Sequence, residues 1–193
     1  NIYRTLMTDR EFYFSVGIND IPWDRIVHWY GRATDFPAYF YDILSDQPER
    51  QKVAIEKIGI NIEHQDGIMM ATPFTLIFLF RLLSFENINK KQILEKILTV
   101  AKATKFQFQL YETQDIPITI GSISELLSEK YIWEKFESEE QDEINWEEFD
   151  YSAEHYYWLK YTFEIIRTFS SVMTQLTDKE DINIANQIIE TTN

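Results

Sequence analysis

Thr72-Pro73-Phe74-Thr75-Leu76-Ile77-Phe78-Leu79-Phe80-Arg81-Leu82-Leu83 is the stretch that decides the fold. Arg81 is its single charge, and the apolar run around it begins at Ala71. Threonine followed by proline is an N-cap with proline at the first helical position, so the run opens as a helix. It is shorter than the roughly 20 residues a membrane-spanning helix needs. A soluble helix that is apolar on every side sits at the centre, with other helices packed around it.

Working outward in both directions, helix signals recur. Thr8 with Glu11 has capping-box spacing and opens a short helix ending near Gly17. Asp20 is read as the cap of a second helix, with Pro22 in its first turn and Gly31 just past its end. Thr34 caps a third through Phe36, Phe40, Ile43 and Leu44. Ser45 or Asp46 caps a fourth, with Pro48 early and Ala54, Ile55, Ile58 and Ile62 on one stripe. His64-Gln65-Asp66-Gly67 reads as a turn. Asn89 starts the helix that carries Ile93, Leu94, Ile97, Leu98 and Ala101. Phe106, Phe108 and Leu110 alternate with polar residues, as a short strand or an extended loop would. Asp115–Gly121 is irregular and Ser122–Lys130 a short helix. Ser152 to Leu176 is expected to be the longest helix, and Thr177 with Glu180 opens a last one through Ile184, Ile188 and Ile189. Helices joined by short connections predict an all-α fold of stacked antiparallel pairs, α-solenoid-like, in a single domain over residues 1–193.

Composition agrees with that reading. Five glycines and five prolines in 193 residues are too few for the turns of an all-β sandwich. There is no cysteine, which removes disulfides and thiolate ligands and accords with a cytoplasmic location. The chain opens on Asn1 rather than Met, which leaves room for an upstream segment, a removed leader included.

Charge is distributed unevenly. Residues 1–105 carry 13 basic and 13 acidic side chains, while residues 106–193 carry 5 and 19 and hold the whole net charge of −14. Between Glu134 and Asp150 nine carboxylates face Lys135 alone. Such a field repels nucleic acid and anionic lipid and attracts a basic protein. The plainest account is a solvated acidic loop, and the segment near 131–150 is expected to be irregular, part of an acidic insertion over 105–150 that precedes C-terminal helices over 151–193. Aromatic residues interleaved with the charges (Trp133, Phe136, Trp146, Phe149) fit a docking surface better than a spacer. Trp133, Glu137, Glu139, Glu140, Asp142, Glu143, Trp146, Glu147, Glu148 and Asp150 are therefore the candidate partner-binding residues.

Two stretches carry a resemblance. Ile21-Pro22-Trp23-Asp24-Arg25-Ile26 followed by Trp29-Tyr30-Gly31-Arg32-Ala33-Thr34-Asp35-Phe36-Pro37 is one. Ile62-Glu63-His64-Gln65-Asp66-Gly67 followed by Ala71-Thr72-Pro73-Phe74-Thr75-Leu76-Ile77-Phe78-Leu79 is the other. In order and spacing they resemble a family of bacterial HEAT-repeat-like proteins over roughly residues 20–102, with Asp66 inserted before Gly67. The resemblance implies a HEAT-like core over 20–104. Acidic members of such families that are encoded beside secreted toxins look like immunity proteins, so it also implies an inhibitor that covers the active site of a cognate basic toxin. A scaffold or adaptor without a toxin partner is the alternative of the same class.

Signals for enzyme chemistry are sparse. His28, His64 and His155 have no metal-ligand spacing, and no Gly-rich phosphate loop or G-x-S-x-G is present. Asp24 and His28, four apart, would share one face of a helix as an acid–base pair, and with His64 they define the hydrolase alternative. The expectation is a binding protein that uses no cofactor or metal.

Overall fold

The structure, a computed structural model, describes residues 7–193; the first six positions of the expected 1–193 domain lie outside the described residues. The chain is all-α, with 62% helix against 4% strand. Helix α1 (Asp9–Ser15) opens on the expected box: Thr8 Oγ1 accepts from the Glu11 amide and the Glu11 carboxylate accepts from the Thr8 amide. Helices α2 (Phe36–Ile43) and α3 (Pro48–Ile62) form a hairpin, and α3 buries Ala54, Ile55, Ile58 and Ile62 as its stripe requires. Helix α4 (Ala71–Leu82) is the centre, with every residue except Arg81 buried. Each fully buried Phe, Leu or Ile contributes about 1.5–3 kcal/mol. Thr72 lies just inside α4 rather than capping it; its hydroxyl donates to the Ile62 carbonyl and accepts from the Met69 amide.

Helix α5 (Lys90–Phe108) starts where Asn89 accepts from the Gln92 amide. Helix α6 (Glu139–Glu147) precedes α7 (Ser152–Thr168), α8 (Ser170–Met173) and α9 (Lys179–Thr192). Helix α5 packs on α3, α7 and α9, and α4 packs on α7, so one contiguous core runs from Tyr13 to Ile188. Phe80 of α4 stacks on Phe169 at 5.2 Å, at the break between α7 and α8. No helix among the described residues is long and apolar enough to cross a membrane.

Several local expectations give way. Residues 20–31 do not form a helix. Pro22 accepts from the amides of Arg25 and Ile26 in a single turn, and then Val27–His28 (β1) pairs antiparallel with Gly31–Arg32 (β2). The β-branched Ile26-Val27 pair disfavours continuing a helix. His28 Nδ1 captures the Tyr30 amide, and Gly31 adopts φ +119°, open to glycine, so a two-residue turn closes instead. The second hairpin, Glu63–His64 (β3) with Gly67–Ile68 (β4), is the expected turn; Gln65 and Asp66 take φ 51° and 61° at its tip. The apparent alternation of Phe106, Phe108 and Leu110 belongs to the end of α5 and the 3-10 turn Gln109–Tyr111. Phe106 and Leu110, four apart, face solvent while Phe108 packs on Tyr156 and Phe163, which imitates a strand pattern. Ser122–Lys130 contains only a 3-10 turn, Ile123–Leu127. The expected longest helix is interrupted at Phe169, leaving α5 the longest, and Asp178 rather than Thr177 caps α9 by accepting from the amides of Glu180 and Asp181.

The acidic segment is not irregular throughout. Ser138 caps α6 through the Gln141 amide, and Glu139, Glu140 and Asp142 occupy its first turn, where the helix dipole favours negative charge.

Candidate partner-binding site

Helix α6 lies over the first hairpin because Arg32 holds it there. The Arg32 guanidinium donates to both carboxylate oxygens of Asp142 at 2.7 and 2.6 Å. Its remaining nitrogen donates to the carbonyls of Asp24 (2.6 Å) and Glu134 (2.9 Å). The same guanidinium lies over the rings of Trp133 (5.3 Å) and Phe136 (5.7 Å). The Arg32 side chain is 7% exposed and Asp142 22%, so the pair is shielded from water. The guanidinium beside Asp142 holds its carboxyl below the usual range.

A second arginine fastens the segment just upstream. The backbones of Arg25 and Trp133 bond, the Arg25 Nε donates to the Trp133 carbonyl at 2.6 Å, and its fork grips Glu129 at 2.7–2.8 Å. Behind these contacts runs a chain of rings. Trp133 meets Trp146 at 5.9 Å and Phe149 at 5.6 Å; Phe149 meets Tyr151 at 5.4 Å, and Tyr151 stacks on Trp158 of α7 at 5.4 Å. The acidic segment is thus riveted to the helical body.

Between α6 and the β1–β2 turn opens a cleft of about 420 Å³. One wall is the α6 face carrying Glu139, Asp142, Glu143, Trp146 and Glu147, residues three or four apart and hence on one side of the helix. The other is Trp29, Tyr30 and Gly31, with Trp133 between them. Tyr30 is 62% exposed and Trp146 36%, whereas Trp133 is 7% exposed. Trp133 therefore spends most of its surface holding the segment down, and Trp146 is the ring left with area to offer.

The ten sequence candidates divide accordingly. Six of them line the cleft: Trp133, Glu139, Asp142, Glu143, Trp146 and Glu147. Glu137 borders a separate groove beside Arg25 and Lys135. Glu140 and Glu148 are exposed away from the cleft, and Asp150 accepts from the Ser152 amide at the start of α7, which together with the Ser152 hydroxyl lowers its pKa. Of the nine carboxylates from Glu134 to Asp150, Asp142 and Asp150 have these partners; the other seven make no ion pair or hydrogen bond with any described residue.

Sequence reasoning missed Trp29, Tyr30, Gly31 and Arg32. The signal was present: the β-branched pair Ile26-Val27 followed within four residues by Gly31 fits a short hairpin as well as a helix end. The two resembling stretches also prove to be neighbours. The Trp29 amide donates to the Asn61 carbonyl and its indole to the Gly67 carbonyl (3.1 Å), while the Tyr30 hydroxyl and His64 Nδ1 lie 3.3 Å apart.

The acid–base pair expected on one helix face is not assembled. Asp24 is exposed, and its carbonyl serves Arg32. His28 is buried in β1, stacked on Phe36 at 5.2 Å, and burial pushes its pKa down to about 4. Asp24, His28 and His64 do not line the cleft. His155 is likewise held on both ring nitrogens, by Tyr111 at 2.7 Å and Gln107 at 3.1 Å, with its pKa lowered by burial.

Compared with models of protein families, with curated proteins and with solved structures, the chain matches none of them.

Proposed function

We propose that this protein acts by binding a basic protein through α6 and the cleft beneath it, as an immunity-type inhibitor that covers the active site of a cognate toxin. The observation that carries the reading is the set of seven carboxylates without protein partners on a segment that Arg25 and Arg32 nevertheless hold in place. Unpaired like charges repel one another in the free protein, and a cationic partner relieves that cost. Carboxylates on a fixed helix suit a phosphate-binding active site, which is basic by its chemistry, and the same field excludes nucleic acid and anionic membranes as ligands. The immunity assignment itself rests on the resemblance over residues 20–102. The HEAT-like arrangement belongs to the same proposal: the α2–α3 hairpin is one helix pair, and α4 and α5, packed against α7 and α9, would extend the stack.

The test pairs this protein with the product of the adjacent reading frame. Co-expression should rescue cells from that product, and surface-based kinetics should show association that slows as salt rises. Glu139→Gln, Glu140→Gln, Glu143→Gln and Glu147→Gln combined should slow association several-fold and flatten its salt dependence. Asp142 is left intact because it is a structural carboxylate. Association at the parental rate at every salt concentration would move the binding face elsewhere on the molecule.

A further inference from the structure

The cleft has the chemistry of a guanidinium receptor, and we infer that it accepts one arginine side chain of the partner, inserted between α6 and the β1–β2 turn. The inference rests on the reading of α6 as a docking element and names what that element recognises.

The cavity's walls make the first argument. Trp133 and Trp146 meet at 65° with centroids 5.9 Å apart, forming an aromatic corner, and Trp29 and the mostly exposed Tyr30 stand across from them. Aromatic faces attract cations through their quadrupole, most strongly when the cation is partly desolvated. The volume, about 420 Å³, falls within the roughly 300–1,000 Å³ of ligand pockets, enough for a long side chain and some adjoining backbone.

Charge complementarity makes the second. Glu139, Glu143 and Glu147 follow one another at i, i+4 spacing on the cleft side of α6, a like-charge line that opposes the helix it belongs to. A cation seated among them reverses two unfavourable pairs at once.

The molecule itself supplies the third. The Arg32 guanidinium already uses this neighbourhood, forked on Asp142 of α6 and laid over Trp133 and Phe136. A planar, weakly hydrated fork matches rings and paired carboxylates together, whereas the compact, strongly hydrated lysine ammonium matches neither as well. Arginine is accordingly the preferred occupant.

The experiment uses the full chain and two probes, acetyl-Ala-Arg-Ala-amide and its lysine counterpart. Binding is followed through the five tryptophan indole N–H signals of the isotopically labelled protein. The arginine peptide should shift the Trp146 and Trp29 signals saturably, and the lysine peptide should bind several-fold more weakly. Glu139→Gln with Glu143→Gln should weaken the arginine peptide several-fold, and these exposed positions leave the fold intact. Tyr30→Ala should do the same from the opposite wall. Equal binding of the two peptides, or shifts that never saturate, would overturn the inference. So would shifts confined to other tryptophans. Because the peptide needs no toxin, its failure beside a salt-steered, glutamate-dependent partner would remove the arginine receptor and leave the docking reading standing. Peptide binding beside an inert partner would do the reverse.

Discussion

Replacing Arg32 with alanine should free α6 from the helical body while leaving the core folded. The side chain is 7% exposed and donates to Asp142 through a two-bond fork and to the carbonyls of Asp24 and Glu134. Removing one partner of a fully buried ion pair costs about 3–5 kcal/mol. Asp142 is 22% exposed, so water recovers part of that, while the lost contacts with Trp133 and Phe136 add on the order of 0.5–1 kcal/mol. The net loss should be about 3 kcal/mol. It should fall on the segment, because α6 buries none of its residues fully and α4 buries nearly all. Native-state hydrogen exchange measures this directly. The α6 amides should exchange roughly 100-fold faster in Arg32→Ala, a tenfold change corresponding to about 1.4 kcal/mol, while the α4 amides keep their protection. Arg32→Lys keeps the charge without the fork and should give about half the effect. Asp142→Asn should resemble Arg32→Ala, and the double variant should be less destabilised than the two effects added. The acid dependence follows from the lowered Asp142 pKa. The pair's stabilisation is present above the ordinary aspartate value near 4 and is lost as pH falls through the lower folded value. That acid limb should vanish in either single variant. Parental α6 exchange in Arg32→Ala would refute the clamp.

Three further outcomes are expected. His28 titrates near 4 when folded and about 6.5 when unfolded, so its contribution is complete above the unfolded value and is lost as pH falls between the two; the loss is on the order of 3 kcal/mol at the acid end, and urea unfolding at pH 7 and 4.5 should show a smaller difference for His28→Asn than for the parent. Gly67→Ala places a Cβ 2.6 Å from Trp29 Cζ2 and 3.1 Å from the His64 carbonyl; it should cost about 1–3 kcal/mol and shift tryptophan emission to the red, and unchanged emission would mean that Trp29 has room to spare. Gly31→Ala meets no atom within 4 Å, so its cost, about 1–3 kcal/mol by chemical denaturation, comes from the φ of +119° alone.

The parts of the fold legible in the sequence were those where periodicity and caps agree. Helix α4 announces itself by being apolar all round, α3 by its stripe, and α1 and α5 by Thr8 and Asn89. The errors share a cause, which is local chemistry with two solutions. Gly31 serves a helix end and a tight hairpin equally, and the hairpin wins because His28 ties down the Tyr30 amide and Trp29 finds the Gly67 carbonyl, a contact 38 residues away. Residues 139–147 present nine positions with five carboxylates, one more immediately following at Glu148, and a single cap. Their helix is secured by Arg32, more than a hundred residues upstream, and no short-range pattern contains that information. For the same reason six candidate residues of the cleft were legible from composition, while its opposite wall was not.

On the proposed docking role, the way the carboxylates are divided bears on how binding would proceed. One of them, Asp142, points to an internal arginine and keeps the helix in place. With that contact made, the remaining charges need not be ordered by the partner. A disordered acidic segment would lose part of its interaction free energy to folding on contact, and affinity would be lower for the same charges. A helix already docked on Trp133 and Phe149 avoids that loss, so the outward glutamates can act mainly on the rate of encounter and Trp146 mainly on the lifetime of the complex. Loosening the internal clamp should therefore weaken partner binding even though Arg32 makes no contact with the partner, and it should do so by slowing association to a degree that added salt does not reproduce. Electrostatic steering and preorganisation then become separable within one helix: the outward glutamates change the salt slope, and Arg32 changes the rate that remains when salt has screened them.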